Sequence, residues 1–285
     1  MIGTVGDLVE DIAIRLLAPI NVASDTPAVI RRRRGGSAAN TAVAVTAAGH
    51  PARFIGQVGE DPTADVLVDA LREAGVDVVV RRQGRTGSIA VLVDAAGERT
   101  MLTDRAACAL LHDPLPAWLD GLRALHVPLY SLGDEPLGRT TRTLLGWARE
   151  RNLLVSIDAS SSAVIEQRGA AQVIADLVTL APDLLLCNED EVAALGGLDR
   201  VAGVGRVATI AKHGASPTVV IAADADPVPI EVPLLRGVLD TTGAGDAFTA
   251  GLLVGLLSGQ TLLDAVVAGH ATAQRAITSV SANSD

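Results

Sequence analysis

The sequence contains few of the residues that mark several common protein classes. Two of its 285 residues are cysteines, Cys108 and Cys187, and they lie far apart in the chain. They suggest neither a disulfide framework nor a metal site, and they fit a reducing cytoplasm. Five histidines are scattered without the spacing of metal ligands, which argues against zinc. Aromatic residues amount to 2%, so the core must form from aliphatic side chains.

Basic residues are also fewer than acidic residues. The formal net charge is −10 at pH 7, and the isoelectric point of the sequence is about 4.9. A nucleic-acid partner requires a basic face, so we expect none. The exception is local, since residues 31–34 are four consecutive arginines. We interpret them as the solvated edge of a strand.

Long apolar runs are absent as well. The chain starts without the basic segment and apolar run of a signal peptide. The most apolar stretch, residues 250–257, contains two glycines and falls far short of the ~20 residues that cross a bilayer. We therefore expect a cytoplasmic protein that does not enter a membrane.

Short apolar runs alternate with segments of helical periodicity, which is the pattern of βαβ units. The sequence therefore predicts an α/β fold with a mostly parallel sheet flanked by helices. We expect strands at residues 2–5, 53–58, 76–80, 124–128, 153–158, 184–187 and 218–222. We expect helices at residues 38–48, 63–73, 137–151, 163–180 and 191–195, then one ending near Gly214, and two more at the C-terminus.

Two segments break this rhythm, because apolar and polar residues alternate in residues 11–33 and in residues 88–102, around a turn at 95–97. They predict a small antiparallel β lid over one end of the sheet. The expected lid comprises residues 11–33 and 85–105. The expected main α/β domain comprises residues 1–10, 34–84 and 106–285. Because a few strands cannot form their own core, we expect the lid to join two copies into a homodimer.

The strongest chemical motif is the string Asp-Thr-Thr-Gly-Ala-Gly-Asp-Ala-Phe at residues 240–248, a loop that leads into an apolar helix. Gly243 and Gly245 allow a tight turn, and the first amides of the helix attract an anion. Asp246 is then placed to take a proton from a hydroxyl group that attacks phosphorus. An isolated Gly-x-Gly-Asp string would more often be a simple helix cap. A base beside an anion hole is typical of phosphoryl transfer.

The complete string resembles the C-terminal signature of the ribokinase-like (PfkB) carbohydrate kinases almost letter for letter. The resemblance implies that Asp246 is the catalytic base and that the amides of Gly243, Ala244 and Gly245 hold the transferred phosphoryl group. It also implies ATP as phosphate donor and Mg²⁺ as cofactor. The order of motifs agrees with the family from Gly6 to the last helix.

A second signature lies early in the chain, where Gly-Gly-Ser-Ala-Ala-Asn at residues 35–40 is similar to the family's Gly-Gly-x-x-x-Asn. Two glycines expose backbone amides to a polyhydroxylated ligand, and an asparagine can donate to and accept from a hydroxyl group. On its own this string is an ordinary helix start about as often as not. Beside the first signature it implies that Gly35, Gly36 and Asn40 bind the substrate.

Residues 6–11, Gly-Asp-Leu-Val-Glu-Asp, resemble the end of the family's first strand, and Asp11 is the second acid of the pair Asp7 and Asp11. The resemblance implies that Asp11 binds substrate hydroxyl groups. A carboxylate can accept from two neighbouring hydroxyls at once, which suits a sugar. The alternative is a solvated loop acid.

Residues 188–191, Asn-Glu-Asp-Glu, resemble the family's Asn-x-x-Glu element and follow a predicted strand, where α/β sheets bind ligands. Mg²⁺ keeps most of its waters. The resemblance implies that Glu191 holds the hydrated ion through water, with Asn188 in support, beside the nucleotide. An acidic first helical turn, favoured by the helix dipole, is the alternative for Glu191.

The sequence departs from the family at the turn after residues 218–222. Relatives usually carry a Gly-x-x-Gly turn there that borders the nucleotide, but this chain has Asp224-Ala225-Asp226-Pro227. Carboxylates beside a triphosphate repel it, so the identity of the donor is left open.

A second departure concerns a monovalent cation. Residues 279–283 lack the Gly-Ala turn that helps to bind it in many relatives. Asp240 and Thr242 could contribute oxygens, which leaves activation by K⁺ open.

Lys212 is the only lysine of the chain. Because no P-loop string surrounds it, we interpret Lys212 as a cation in the last turn of a helix that ends at Gly214.

The acceptor side is less defined. Arg105 lies in an Arg-Ala string similar to those of relatives that act on sugar acids, where an arginine can grip a carboxylate with two parallel bonds. A surface charge explains it equally well. We expect an ATP-dependent kinase that phosphorylates a hydroxyl of a sugar or sugar acid. A nucleoside kinase of the same family is the alternative, although aromatic residues that could stack on a base are scarce. A degenerate sugar-binding regulatory protein is the other alternative.

Overall fold

The computed structural model describes residues 1–94, 99–223, 225–233 and 243–282. In chain order the strands are β1 Ile2–Val5, β2 Val9–Leu16, β3 Ala28–Gly35, β4 Ala52–Val58, β5 Asp77–Arg82, β6 Ser88–Val93, β7 Arg99–Asp104, β8 Ala124–Pro128, β9 Leu154–Asp158, β10 Leu184–Asn188, β11 Ala208–His213, β12 Ser216–Ala222 and β13 Val228–Ile230. The α-helices are α1 Ser37–Ala47, α2 Pro62–Glu73, α3 Leu137–Glu150, α4 Ser162–Arg168, α5 Ala170–Leu180, α6 Glu189–Ala194, α7 Leu198–Val201, α8 Ala244–Leu257 and α9 Leu262–Ala282.

A nine-stranded sheet forms the centre of the molecule, in the order β13-β12-β11-β10-β9-β8-β1-β4-β5. Seven neighbouring strands of this sheet are parallel to one another, in the spatial order β11-β10-β9-β8-β1-β4-β5. Strand β12 is antiparallel to β11, and β13 is antiparallel to β12. The prediction of a mostly parallel sheet is confirmed. Within the described part of the chain, no helix is long and apolar enough to cross a bilayer.

Helices cover both faces of this sheet, so its central strands bury apolar side chains on each side. Val5 and Ile55 join the core beneath α3 to α6. Ile2 and Phe54 lie on the same two strands and join the core beneath α1, α2, α8 and α9. The two cores are mainly aliphatic, as the composition requires. Because both faces of the sheet are packed against helices, the strands are held in place, and so are the strand ends at the candidate site.

A second sheet of four strands, which we call the lid sheet, has the order β3-β2-β6-β7. It consists of two antiparallel hairpins, β2 with β3 and β6 with β7, joined by a parallel pairing of β2 with β6. The predicted small β sheet is confirmed, with the parallel pairing as its unexpected feature. The predicted turn at residues 95–97 lies outside the described residues. The domain boundaries stay a prediction.

Two predicted helices differ in the structure. The single helix expected at 163–180 is two helices, α4 and α5, because Gly169 has a φ of 84° and interrupts the helical path. The helix expected to end near Gly214 is wrong, since β11 occupies Ala208–His213. Gly214, with a φ of 60°, turns the chain directly into β12. So short a connection permits only an antiparallel neighbour.

Candidate active site

Polar side chains gather where the parallel strands of the main sheet end. Asp158 ends β9, Asn188 ends β10, and Lys212 lies near the end of β11. The carboxyl edge of an open α/β sheet is the usual place for a ligand. The first turns of α1 and α8 meet each other at this edge, because the side chains of Ser37 and Asp246 are hydrogen-bonded.

Asp246 connects the two sequence signatures. It lies in the first turn of α8, which begins after Gly243 in a left-handed conformation with a φ of 77°. Its Oδ1 accepts a hydrogen bond of 2.5 Å from Ser37 Oγ, and its Oδ2 accepts one of 3.1 Å from Asn40 Nδ2. The structure therefore brings Asn40 and Asp246 together, although 206 positions separate them in the sequence. Ser37 lies within the second signature but was not among the predicted site residues.

The surroundings of Asp246 suit a proton acceptor. Burial raises the pKa of Asp246 to about 6, against the bonds from Ser37 and Asn40, which lower it. The charge of Asp158 raises this pKa further and that of Lys212 lowers it. The residue keeps some exposure to solvent, so a substrate can reach it. A carboxylate with a pKa just below neutrality is mostly ionised at pH 7 and still basic enough for general base catalysis.

The head of α8 provides the predicted anion site. Gly243, Ala244 and Gly245 form its first positions, and no side chain caps Gly243 among the described contacts. The first amides of a helix have no intrahelical acceptor, so they are available to an anion. Asp240 and Thr242, the predicted oxygen donors for a monovalent cation, lie outside the described residues.

The Gly-Gly turn is held closely by its neighbours. A Cβ atom added at Gly35 would lie 2.1 Å from Asp11 Oδ1. One added at Gly36, whose φ is 101°, would lie 2.1 Å from the carbonyl oxygen of Asp7. A larger residue is therefore excluded at Gly36, and one at Gly35 would displace the Asp11 carboxylate. The close approach places Asp11 next to Gly35, so the predicted substrate-binding residues at the start of the chain are brought together.

Asp11 is not a solvated loop acid. It lies in β2, and its side chain is 15% exposed, 3.9 Å from the guanidinium of Arg33. Burial raises the pKa of Asp11, and the charges of Arg33 and Arg34 oppose that shift. The carboxylate is thus in place to accept hydrogen bonds from a ligand, and its role in substrate binding stays a prediction.

Arg34 extends the polar chain beyond Asn40. Its guanidinium donates a hydrogen bond of 2.8 Å to Asn40 Oδ1. The interpretation of residues 31–34 as a solvated strand edge is correct for residues 31–33, which are exposed on the edge strand β3. It is wrong for Arg34, which is partly buried. No sequence pattern distinguished this arginine from the three before it.

Lys212 lies inside the site. Its ammonium group is 2.8 Å from Asp158 Oδ2, and the two side chains are 16% and 13% exposed. The ammonium would be 3.6 Å from a Cβ atom at Gly245, so it lies beneath the first turn of α8. The interpretation as a cation at a helix C-terminus is wrong, because Lys212 belongs to β11. In the sheet, Lys212 pairs with Asn188, the last residue of β10. A correct assignment of residues 208–213 as a strand would have predicted that Lys212 lies at the same edge as Asn188.

Asn188 and Glu191 form a capping box at the start of α6. Both carboxylate oxygens of Glu191 accept from Asn188 at 2.8 Å, one from the backbone amide and one from the side chain. Glu191 is 2% exposed. Burial and then the charge of Asp158 raise the pKa of Glu191 to about 7. The helix-start interpretation of Glu191 therefore describes its contacts, and the role in binding hydrated Mg²⁺ stays a prediction.

Arg105 forms contacts with two carboxylates of the protein that neither sequence interpretation anticipated. Its Nε and one terminal nitrogen donate to the two oxygens of Asp7 at 2.8 and 2.7 Å. The other terminal nitrogen donates to Asp134 at 2.5 Å. With its side chain 15% exposed, Arg105 is not a free surface charge. Its predicted grip on a substrate carboxylate stays a prediction, and these two carboxylates already occupy its three nitrogens.

The acidic turn after β12 lies away from the site. Because β12 is antiparallel to β11, Ala222 pairs with Ala208, at the start of β11. Residues 225–227 follow Ala222 and therefore lie at the opposite edge of the sheet from Lys212. The turn is therefore separated from the polar side chains at the carboxyl edge of the sheet, and the expectation from the resemblance that it borders the nucleotide stays a prediction. Asp224 itself lies outside the described residues.

Comparisons with known proteins identify the family of the chain. The family model described as "pfkB family carbohydrate kinase" matches residues 5–285. A fructokinase of Klebsiella pneumoniae is 32% identical, covering 78% of this chain and 76% of that protein. A fructokinase of Escherichia coli is 30% identical, covering 79% and 77%.

Solved structures share the fold. The adenosine kinase of Sinorhizobium meliloti superimposes with a TM-score of 0.85 at 24% identity, covering 97% of this chain and 93% of that one. An uncharacterized sugar kinase of Pyrococcus horikoshii in complex with ATP superimposes with a TM-score of 0.81, also at 24% identity, covering 96% and 91%.

Proposed function

Because the chain belongs to the pfkB family of carbohydrate kinases, we propose that it transfers the terminal phosphoryl group of ATP to a hydroxyl of a sugar or sugar acid, with Asp246 as general base. The observation that carries this proposal is the contact of Asp246 with Ser37 and Asn40. This contact supports the proposal, because it joins a carboxylate in the first turn of α8 to Asn40, a residue predicted to bind the acceptor.

In the proposed reaction each of these groups has a separate role. Asp11, Gly36 and Asn40 orient the acceptor, whose reacting hydroxyl points to Asp246. Asp246 takes the hydroxyl proton while the oxygen attacks the γ-phosphorus in line, and the bond from that phosphorus to the departing ADP oxygen breaks. The amides at the head of α8 stabilise the charge that develops on the phosphoryl oxygens.

Mg²⁺ would supply neutralising charge beside the phosphates, and Glu191 and Asn188 are the residues proposed to hold it through water. Their geometry fits this role. Each oxygen of Glu191 accepts one hydrogen bond from Asn188 and keeps a further lone pair for a metal-bound water. Burial and the charge of Asp158 raise the pKa of Glu191, and a cation bound nearby would lower it and favour the carboxylate.

ATP as the donor is supported by the position of the acidic turn. The family resemblance implied that carboxylates would lie next to the triphosphate, but residues 225–227 lie at the far edge of the sheet. The ammonium of Lys212 lies at the head of α8, 3.6 Å from a Cβ atom placed at Gly245, and a cation at this position attracts phosphate.

The test is acceptor-dependent release of ADP from ATP in the presence of Mg²⁺, across a panel of sugars, sugar acids and nucleosides, with and without K⁺. Release with a sugar or sugar acid supports the proposal. Release with nucleosides alone supports the nucleoside kinase alternative. If no acceptor releases ADP from the folded protein, a sugar-binding regulatory role replaces the proposal.

The pH dependence of kcat/KM follows from the pKa of Asp246. A base with a pKa of about 6 is ionised above that value, so kcat/KM should be level above about pH 7 and fall tenfold per unit below about pH 6. Ser37→Ala removes a bond that lowers this pKa, and the acid limb should then move to higher pH. A wild-type limb near the ordinary aspartate value would show that the carboxylate is not desolvated in the working enzyme.

We also propose that two copies associate through the lid sheet. Leu102 and Ile30 on its two outer strands are 57% and 60% exposed, and the adjoining Leu17 is 56% exposed. None of these side chains belongs to the two cores of the main sheet. Exposed apolar side chains on edge strands favour association.

Sedimentation of the Ile30→Glu variant tests this arrangement. The wild type should sediment as a dimer and the variant as a monomer at the same concentration, because a buried carboxylate would oppose the contact. Val66→Glu provides the matched control, since Val66 is 68% exposed on α2, away from the lid sheet. A wild type that sediments as a monomer, or a variant that remains dimeric, contradicts the proposal.

A further inference from the structure

Arg34 is a cation in the candidate site whose hydrogen-bonding capacity is largely unused. Within the described residues, its guanidinium makes one hydrogen bond, to Asn40 Oδ1. A guanidinium carries five N–H donors in a planar fork. Burial lowers the pKa of Arg34 even though the charges of Asp246 and Asp11 oppose the shift. The positive charge has therefore lost water without gaining full compensation from the protein.

The other buried cations of the site have their partners. Arg105 binds Asp7 and Asp134 through all three nitrogens. Lys212 is paired with Asp158. Arg34 thus differs from both, because its donors remain available to a ligand.

The position of Arg34 limits what that ligand can be. Asn40 receives the bond from Arg34 at 2.8 Å and donates to Asp246 at 3.1 Å. Arg34 is therefore one side chain away from the proposed base. A five- or six-carbon molecule whose hydroxyl lies at Asp246 can place another group against the guanidinium. The fork of an arginine fits carboxylate and phosphate oxygens with two parallel bonds.

We propose that Arg34 binds an anionic group of the acceptor, a carboxylate or a phosphate, and that it thereby selects sugar acids or sugar phosphates over neutral sugars. This inference rests on the proposed kinase function and narrows its substrate class. The fructokinase relatives are named for a neutral sugar, so the inference separates this chain from them by a measurable property.

Matched acceptor pairs test the selection directly. Gluconate and glucitol, or galactonate and galactitol, differ by a carboxylate in place of a hydroxymethyl group. Fructose 6-phosphate and fructose differ by a phosphate. The wild type should favour the anionic member of at least one pair in kcat/KM, and the pair that shows it identifies the anion. Arg34→Gln should reduce that preference roughly 10- to 100-fold, the usual worth of a hydrogen bond to a charged group.

Two variants control for charge and for folding. Arg34→Lys keeps the charge without the fork, so it should retain part of the preference. Arg32→Gln makes the same change two positions earlier on the same face of β3, where the side chain is 69% exposed. It should leave the preference unchanged. A wild type that favours the neutral members overturns the inference. So does an equal loss for both members in Arg34→Gln, because Arg34 would then act on Asp246 through Asn40.

Binding without turnover separates this inference from the kinase proposal. The anionic member should raise the melting temperature of the wild type more than its neutral partner does, without nucleotide, and Arg34→Gln should abolish the difference. If this holds but no acceptor releases ADP, the kinase proposal fails and the anion site stands. If a neutral sugar alone is phosphorylated and no acid shifts the melting temperature, the anion site fails and the kinase proposal stands.

Discussion

Asp246→Asn should lower kcat roughly 100- to 10,000-fold, the usual contribution of a positioned general base. An amide has nearly the same shape as the carboxylate but cannot take the proton of the acceptor hydroxyl. Folding should persist, because burial already disfavours the ionised form of Asp246. The new side chain can keep its oxygen toward Asn40 Nδ2 and donate its amide hydrogen to Ser37 Oγ, because a hydroxyl group can also accept.

Steady-state kinetics and thermal unfolding together check this result. Asp69→Asn is the matched control, because Asp69 is 63% exposed on α2, and its kcat should equal that of the wild type. If Asp246→Asn retained kcat within about threefold of the wild type, far less than a lost base would cost, Asp246 would not be the base.

Lys212→Met should destabilise the fold by about 3–5 kcal/mol, the usual effect of removing one partner of a buried ion pair. The change leaves Asp158 as an uncompensated charge with its side chain 13% exposed. Asp158 also raises the pKa values of Asp246 and Glu191, and Lys212 lowers both. Losing the ammonium should therefore move the acid limb of kcat/KM to higher pH as well.

Denaturant unfolding of three variants resolves the origin of this loss. Arg72→Met breaks an ion pair whose partners are 58% and 63% exposed, so it should cost less than about 1 kcal/mol. Combining Lys212→Met with Asp158→Leu removes both charges and should recover part of the stability that the single change loses. A cost below about 1 kcal/mol for Lys212→Met alone would mean that water screens the pair.

The regular βαβ part of the fold is readable from the sequence because each strand is a short apolar run between clear helix signals. β1 at Ile2–Val5 and β8 at Ala124–Pro128 have the bounds that the pattern predicts. The prediction of a helix in place of β11 was wrong for a physical reason. Its short apolar run ends in Lys-His-Gly, which also suits the last turn of a helix. Pairing on both sides, with β10 and β12, decides the strand.

The assignment of β11 as a strand also decides the direction of β12. Once Gly214 is the turn of a hairpin, β12 must return antiparallel. The acidic segment after it then moves to the opposite edge from the site. Strand direction depends on the preceding connection, so an error in one element passes to the next.

Asp246 and Asn40 could be named as candidate site residues from the sequence, because each belongs to a short local string. The site was not predictable where contacts join distant segments. Ser37 and Asp246 are 209 positions apart, and Lys212 and Asp158 are 54 apart. Burial, which distinguishes Arg34 from the exposed arginines before it, also follows from tertiary packing alone.

The parallel pairing of β2 with β6 sets the order in which the molecule can assemble. Each lid hairpin joins neighbouring segments, but β3, α1, β4, α2 and β5 intervene between β2 and β6. Closing so long a loop is entropically costly until the intervening α/β units have folded and brought its ends together. Until then both hairpins retain open edges that can pair with other chains. The lid sheet therefore remains open to misassembly until the segment between β2 and β6 has folded.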